Sequence, residues 1–296
     1  MSAPAVARHA VPEDVVVFVL GMGRSGSSAT TRVLALCGGR LPGALLPANP
    51  SNPTGFWEPH AAVHANARFL LKSGSSFFDT QLVQHIQADV SANRAFVDET
   101  AEFLKACRSP DCSAPLIVKE PRISLLLPFW IEAAEAAGFS PRVVIPVRHP
   151  NEVAASLCKW KGLPDDHAAE LWLKYNLLAE RHTRHLSRCF VSFAGLLSDW
   201  RGEVRAIAHA LDLDFTPNAL VDDFLNPALC HALSEEEEPR SQTPWLREVC
   251  RTLFAACRDQ DVDTDALDAA FAGLSQAQAT GALRVVRSFG TDFGAS

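Results

Sequence analysis

Gly21, Gly23 and Gly26 alternate with Arg24, Ser25, Ser27 and Ser28 in one short stretch. Residues of these types, so spaced, hold anions. Glycines let the backbone approach closely, free N–H groups converge, and a following helix adds its positive end. The stretch follows Val15 to Leu20, an apolar run that reads as a buried strand. It leads into Ala29 to Leu36, which reads as a helix. Gly21, Gly23 and Gly26 satisfy the dinucleotide fingerprint G-x-G-x-x-G, but that fingerprint needs an acidic residue about 20 positions on. Gly38 to Leu45 has none. Gly21 to Gly26 also has P-loop spacing, yet Ser27 stands where nucleotide-hydrolysing loops carry lysine. Kinase or GTPase chemistry thereby loses a main contact to the β- and γ-phosphates. A P-loop-like cradle remains, with Arg24 as its cation.

Arg148 and Ser156 form a second candidate anion site. Arg148 directly follows the apolar run ending at Val147, and Pro150 suits the first turn of a helix. A guanidinium fork and a hydroxyl together suit a dianionic phosphate. Two helical turns separate the pair, so their meeting depends on how Arg148 folds back.

Four apolar runs rich in β-branched residues must position these groups: Val15 to Leu20, Pro115 to Lys119, Arg142 to Val147 and Arg188 to Phe193. Runs of this kind are strands covered on both faces. Helical patterns separate them, clearest over Ser124 to Ala137, Asn151 to Lys161, His167 to Leu186 and Leu196 to Leu211. Such alternation predicts an α/β fold with a parallel sheet between helices. Leu41 to Pro59, rich in Pro, Gly and Asn, reads as a long loop near the first strand's carboxyl end, the edge where open α/β sheets bind ligands. Beyond Asp212 the strands stop; Glu235 to Glu238 is a solvated acidic run, and Gln242 to Phe289 reads as helical.

The 296 residues suffice for one substantial core, and 48% hydrophobic composition marks a globular chain. A net charge of −7 argues against nucleic acid as a partner. No apolar run reaches the ~20 residues that span a bilayer, and the amino terminus lacks the pattern of a signal peptide. The eight cysteines include no C-x-x-C pair and read as reduced thiols of a cytoplasmic protein.

On these motifs the chain resembles the sulfotransferases that use 3′-phosphoadenosine-5′-phosphosulfate (PAPS). Arg24-Ser25-Gly26-Ser27-Ser28 is similar to the phosphosulfate loop of Golgi-type and bacterial members. Arg148 and Ser156 match the 3′-phosphate motif, and Lys119-Glu120-Pro121 resembles a K-D-P segment whose lysine stabilises the transition state. The resemblance runs from about Val15 to Leu213. It implies a single P-loop-like, three-layer domain over 1–296, with its core over about 15–213 and a helical carboxyl-terminal part over about 214–296. It also implies a bacterial, cytoplasmic enzyme that moves a sulfuryl group from PAPS to a hydroxyl, leaves 3′-phosphoadenosine-5′-phosphate (PAP) and requires no metal.

The resemblance distributes roles along the chain. Gly23, Arg24, Ser25, Gly26, Ser27, Ser28, Arg148 and Ser156 bind the donor. Phe193, standing where many members have tyrosine, keeps a ring for adenine but loses a hydroxyl. Arg24 and Lys119 are the catalytic cations. Glu58, in the family-like segment Asn52 to Glu58, is the general base; the competing reading is an acid that caps the helix after Pro59. His60 and His64 are reserve bases. Phe56, Trp57, His60 and Arg122 face the acceptor, Arg122 equally able to pair with Glu120. Phe77 and Phe78 line the acceptor pocket or belong to the core. Trp130, Trp160 and Trp172 read as packing. His182 and His185 lie on a solvated helix face, and Arg284 and Arg287 on a terminal helix. The acceptor is open: a small molecule, a glycan, a lipid or a peptide tyrosine. Two competing functions are a kinase-like phosphotransferase and a non-catalytic nucleotide-binding protein.

Overall fold

The computed structural model describes residues 14–50, 52–82, 90–109, 114–225 and 237–287. All four expected strands form: β1 (Asp14–Val19), β2 (Leu116–Lys119), β3 (Phe139–Val147) and β4 (Arg188–Ser192). They make one parallel sheet in the order β2-β1-β3-β4. Side chains of a strand alternate between faces, and here both faces are covered. Val16, Phe18 and Leu20 join a core with α3 (Arg94–Ala106), α4 (Ile123–Ala136), α6 (Asp165–His182) and α10 (Leu246–Asp259). Val17 and Val19 join a second core with α1 (Ser27–Leu36) and α8 (Trp200–Leu211). The result is the expected P-loop-like, three-layer α/β fold.

From β1 the chain crosses to β2, whereas from β3 it crosses to β4 through α5 (Pro150–Lys161) and α6. Opposite departures open a crevice at the carboxyl ends of β1 and β3, where such sheets take ligands. Residues 41–50 and 52–59 form the expected loop over this edge, stitched by isolated bridges Leu45 to Pro59 and Asn49 to Asn52, before α2 (His60–Lys72).

Two helical expectations need correction. Leu196 to Leu211 is not one helix: α7 (Phe193–Ser198) ends at Asp199, whose extended backbone breaks the run and whose carboxylate accepts from Gly202 N to cap α8. A short α9 (Leu220–Phe224) follows. The stretch from Gln242 holds two helices, α10 and α11 (Thr264–Ala279), divided by a left-handed Gln260 and restarted by the Asp263 cap. After Gly281 (φ 74°) the backbone is no longer helical, so Arg284 and Arg287 lie on no terminal helix. Phe289 and Glu235 and Glu236 of the acidic run fall outside the described residues, as do Cys112 and Cys230. The remaining run is anchored: Glu238 pairs with Arg247 and Arg251 at 2.5 and 2.7 Å.

Candidate active site

The cradle is built by backbone geometry. Gly21 and Gly26 have φ of 101° and 90°, and Arg24 takes a left-handed φ of 73° between them. Gly26 caps α1, which has no acidic residue in its first turn and no side-chain cap. Ser124 ties the loop down, accepting from Gly21 N at 2.9 Å. A Cβ at Gly26 would overlap the Phe193 ring, so this position demands glycine twice over. Ser25 is buried, its hydroxyl without a hydrogen-bond partner among the described residues, and Ser27 is buried beside it.

Arg148 and Ser156 both meet the cradle, through Arg24. Arg24 Nε donates to Ser156 Oγ at 2.8 Å, and Arg148 donates to the Arg24 carbonyl at 3.1 Å. Burial, then the neighbouring Arg148 charge, pulls the Arg24 guanidinium below its ordinary range. Arg148 also pairs with Glu152 at 3.3 Å and lies 4.7 Å over the Phe193 ring. Its carbonyl accepts from Trp172 Nε1 at 3.0 Å, which fixes the strand end. Arg148 Nε is buried with no hydrogen-bond acceptor among the described residues.

A second cluster forms the floor. Lys119, the last residue of β2 and 1% exposed, donates to Glu58 Oε1 at 2.6 Å and to Ser28 Oγ at 3.1 Å. Ser28 in turn donates to the Phe56 carbonyl at 3.2 Å. Glu58 is aimed inward by the residue before it: Trp57 has a φ of 58° and stacks against Arg32 at 4.6 Å rather than lining the cleft. The loop is pinned by Leu46 N to Glu58 O and His60 N to Ala44 O. Arg122 bonds Glu120 at 2.5 Å and lines the cleft over the Phe77 ring. Burial raises the Glu120 carboxyl, with Arg122 opposing.

These groups border a cleft of about 850 Å³. Gly23, Arg24, Gly26, Ser27, Ser28, Arg148 and Phe193 line it, and so do Phe56, Glu58, His60, Lys119 and Arg122. His60 and His64 sit exposed on α2, their Nε2 atoms 3.3 Å apart, and burial followed by His60 lowers the His64 pKa. Phe77 and Phe78 are both buried and cleft-lining, as is half-buried Trp160, while Trp130 and Trp172 are core. His182 is only partly solvated, and burial pulls it down to about 4. Arg287 reaches Gln81.

Sequence reasoning passed over the supports of this site. Asn66 donates to Glu120 at 2.6 Å and accepts from Trp130 Nε1 at 2.9 Å. Lys174, inside the apolar run Leu171 to Leu178, was legible as an anomaly: a lysine where a core helix wants leucine. Among the described residues no group of three or more His, Cys, Asp or Glu is placed to hold a metal. None of their helices is long and apolar enough to cross a membrane.

Comparison with known proteins adds a family. A profile described as the sulfotransferase family matches residues 17–217. No curated protein matches the chain. Among solved structures, the sulfotransferase domain from the Synechococcus PCC 7002 olefin synthase is 17% identical, at a TM-score of 0.44, over 94% of this chain and 98% of that one. The sulfotransferase domain from the curacin biosynthetic pathway is 16% identical over 81% and 97%, also at 0.44. Sulfotransferase STF1 from Mycobacterium tuberculosis H37Rv is 16% identical over 82% and 77%, at 0.40.

Proposed function

The chain belongs to the sulfotransferase family, and from that premise we propose that it transfers a sulfuryl group from PAPS to an acceptor hydroxyl, with Glu58 as general base. The single observation that carries the reading is the Lys119–Glu58 contact at 2.6 Å, in the same cleft as the cradle. A cation and a base held together there serve one bond exchange.

The cleft fits the donor chemically. Arg24 and Arg148 crowd each other, Arg148 Nε lacks an acceptor, and the α1 start carries no acid. Phosphates would relieve all three conditions. When bound, PAPS supplies the sulfuryl group and a phosphate leaving group. Gly23 to Ser28 hold its 5′ end through backbone N–H groups and hydroxyls, while Arg148 and Ser156 take the 3′-phosphate. Phe193 offers a ring to adenine. Lys119 and Arg24 neutralise charge that grows on the bridging oxygen. Glu58 accepts the acceptor's hydroxyl proton, and Lys119 Nζ keeps its carboxylate oriented until then. Cys37, Cys107, Cys158 and Cys189 are free thiols, which supports a reducing, cytoplasmic setting.

Thermal shift tests the donor half: PAP should raise the melting temperature well above the shift from equal ADP, which lacks the 3′-phosphate. Equal shifts would remove the 3′-phosphate site. Labelled PAPS with metabolite extract should then label an acceptor without added Mg²⁺. Transfer from the γ-phosphate of Mg·ATP instead would favour the kinase-like reading.

A further inference from the structure

One wall of the cleft, beside Gly23 of the cradle, is made of rings. Phe77 and Phe78 stand edge to face at 4.8 Å, and Trp160 lies 6.4 and 6.0 Å from them. Phe77 and Phe78 lie on a loop, whose carbonyls would ordinarily serve a polar ligand, but α6 and α11 take them. Tyr175 Oη donates to Phe77 O at 3.0 Å, His167 Nε2 to Phe78 O at 2.8 Å, and buried Lys174 Nζ to Asp79 O at 2.6 Å. Gln278 Nε2 donates to Thr80 O at 2.9 Å. Four successive carbonyls are therefore engaged, and this wall offers the cleft rings, with Arg122 over Phe77 and Lys161 over Trp160.

The stretch around Asn52, which also lines the cleft, is self-contained too. Asn52 Nδ2 donates to Gly55 O at 2.8 Å, Thr54 Oγ1 to Asn52 Oδ1 at 3.1 Å, and Asn49 Oδ1 accepts from Asn52 N at 3.1 Å. Glu58 is paired with Lys119, Arg122 with Glu120, and His60 with His64. A ligand with many hydroxyls would find these groups already engaged. Each hydroxyl buried without a partner costs roughly tenfold in affinity or more, whereas an aromatic contact contributes a few-fold to about tenfold. A glycan loses by that comparison and an apolar body gains.

We propose that the acceptor is a hydroxyl carried on an apolar body, an alkylphenol being the simplest case, seated on Phe77, Phe78 and Trp160. The inference rests on the sulfuryl-transfer reading for the word acceptor; the apolar seat itself is tested separately. Calorimetry on the full chain, with and without PAP, would compare 4-butylphenol with methyl glucoside. Saturable phenol binding, at least tenfold weaker in both Phe78→Ala and Trp160→Ala, with no glucoside binding, supports it. Trp160 is half-exposed at the end of α5, so its variant remains informative if Phe78→Ala misfolds. Glucoside binding equal to phenol, absent phenol binding, or phenol affinity unchanged in Trp160→Ala overturns it. Ring-dependent phenol binding without any PAP melting shift supports the seat and sinks the donor reading. A PAP shift without phenol binding does the reverse.

Discussion

Arg24 and Ser156 stand 132 positions apart and share a 2.8 Å hydrogen bond. Two motifs that the sequence presents separately are thus one site, joined across the crevice between β1 and β3. A ligand on the cradle and a phosphate beside Ser156 feel the same arginine. Removing the Ser156 hydroxyl deletes one hydrogen bond to a charged group, worth about 1.5–3 kcal/mol. Ser156→Ala should therefore weaken PAP binding about 10- to 100-fold by calorimetry, and ADP binding far less. Equal losses for both nucleotides would make Ser156 a brace for Arg24 alone.

Glu58 has the competing role of a plain acid before α2. Glu58→Gln keeps the shape and leaves an amide oxygen for Lys119, but cannot accept a proton. General-base catalysis contributes about 10²- to 10⁴-fold, so turnover should fall within that range while the PAP melting shift stays. A variant that turns over normally assigns Glu58 to the loop's architecture.

The sheet was legible because each strand is a short β-branched run covered on both faces, and the cradle because glycine spacing is a local property. What the sequence hides is non-local or against type. Lys119 and Glu58 meet only because residues 52–59 fold back over the carboxyl edge of β2, guided by a positive φ at Trp57 that no side chain advertises. Asp199 breaks a helical pattern because its carboxylate serves better as a cap than as a helix-interior residue. The aromatic wall could be listed as Phe77 and Phe78, but its carbonyls' engagement by α6 depends on a contact 98 positions distant.

Gly26→Ala separates strain from steric conflict in the cradle. A non-glycine residue at φ 90° costs on the order of 1–3 kcal/mol, and the new Cβ would meet the Phe193 ring as well. Gly38 has φ 111° with open space around it, so Gly38→Ala carries strain alone. Gly26→Ala should lower the melting temperature more than Gly38→Ala. Adding Phe193→Ala to it should recover part of that loss, and no recovery would show that the ring yields freely.

Lys174 gives the fold a pH dependence of definite sign. Burial, opposed by Asp79 and assisted by Arg287, lowers its pKa from 10.5 to about 8. Between those values the unfolded chain holds a proton that the folded chain has released, so stability rises with pH across the window. The penalty is fully present below about pH 8 and fades toward 10.5. Urea unfolding of wild type and Lys174→Met cancels the other titrations. From about pH 7.5 to about pH 9.5 the difference should move roughly 2 kcal/mol in favour of wild type. A difference that stays flat would mean that Lys174 keeps its ordinary pKa in the fold. One that moves toward the variant would mean that the ammonium is stabilised beside Asp79, and that its grip on the aromatic wall strengthens with charge.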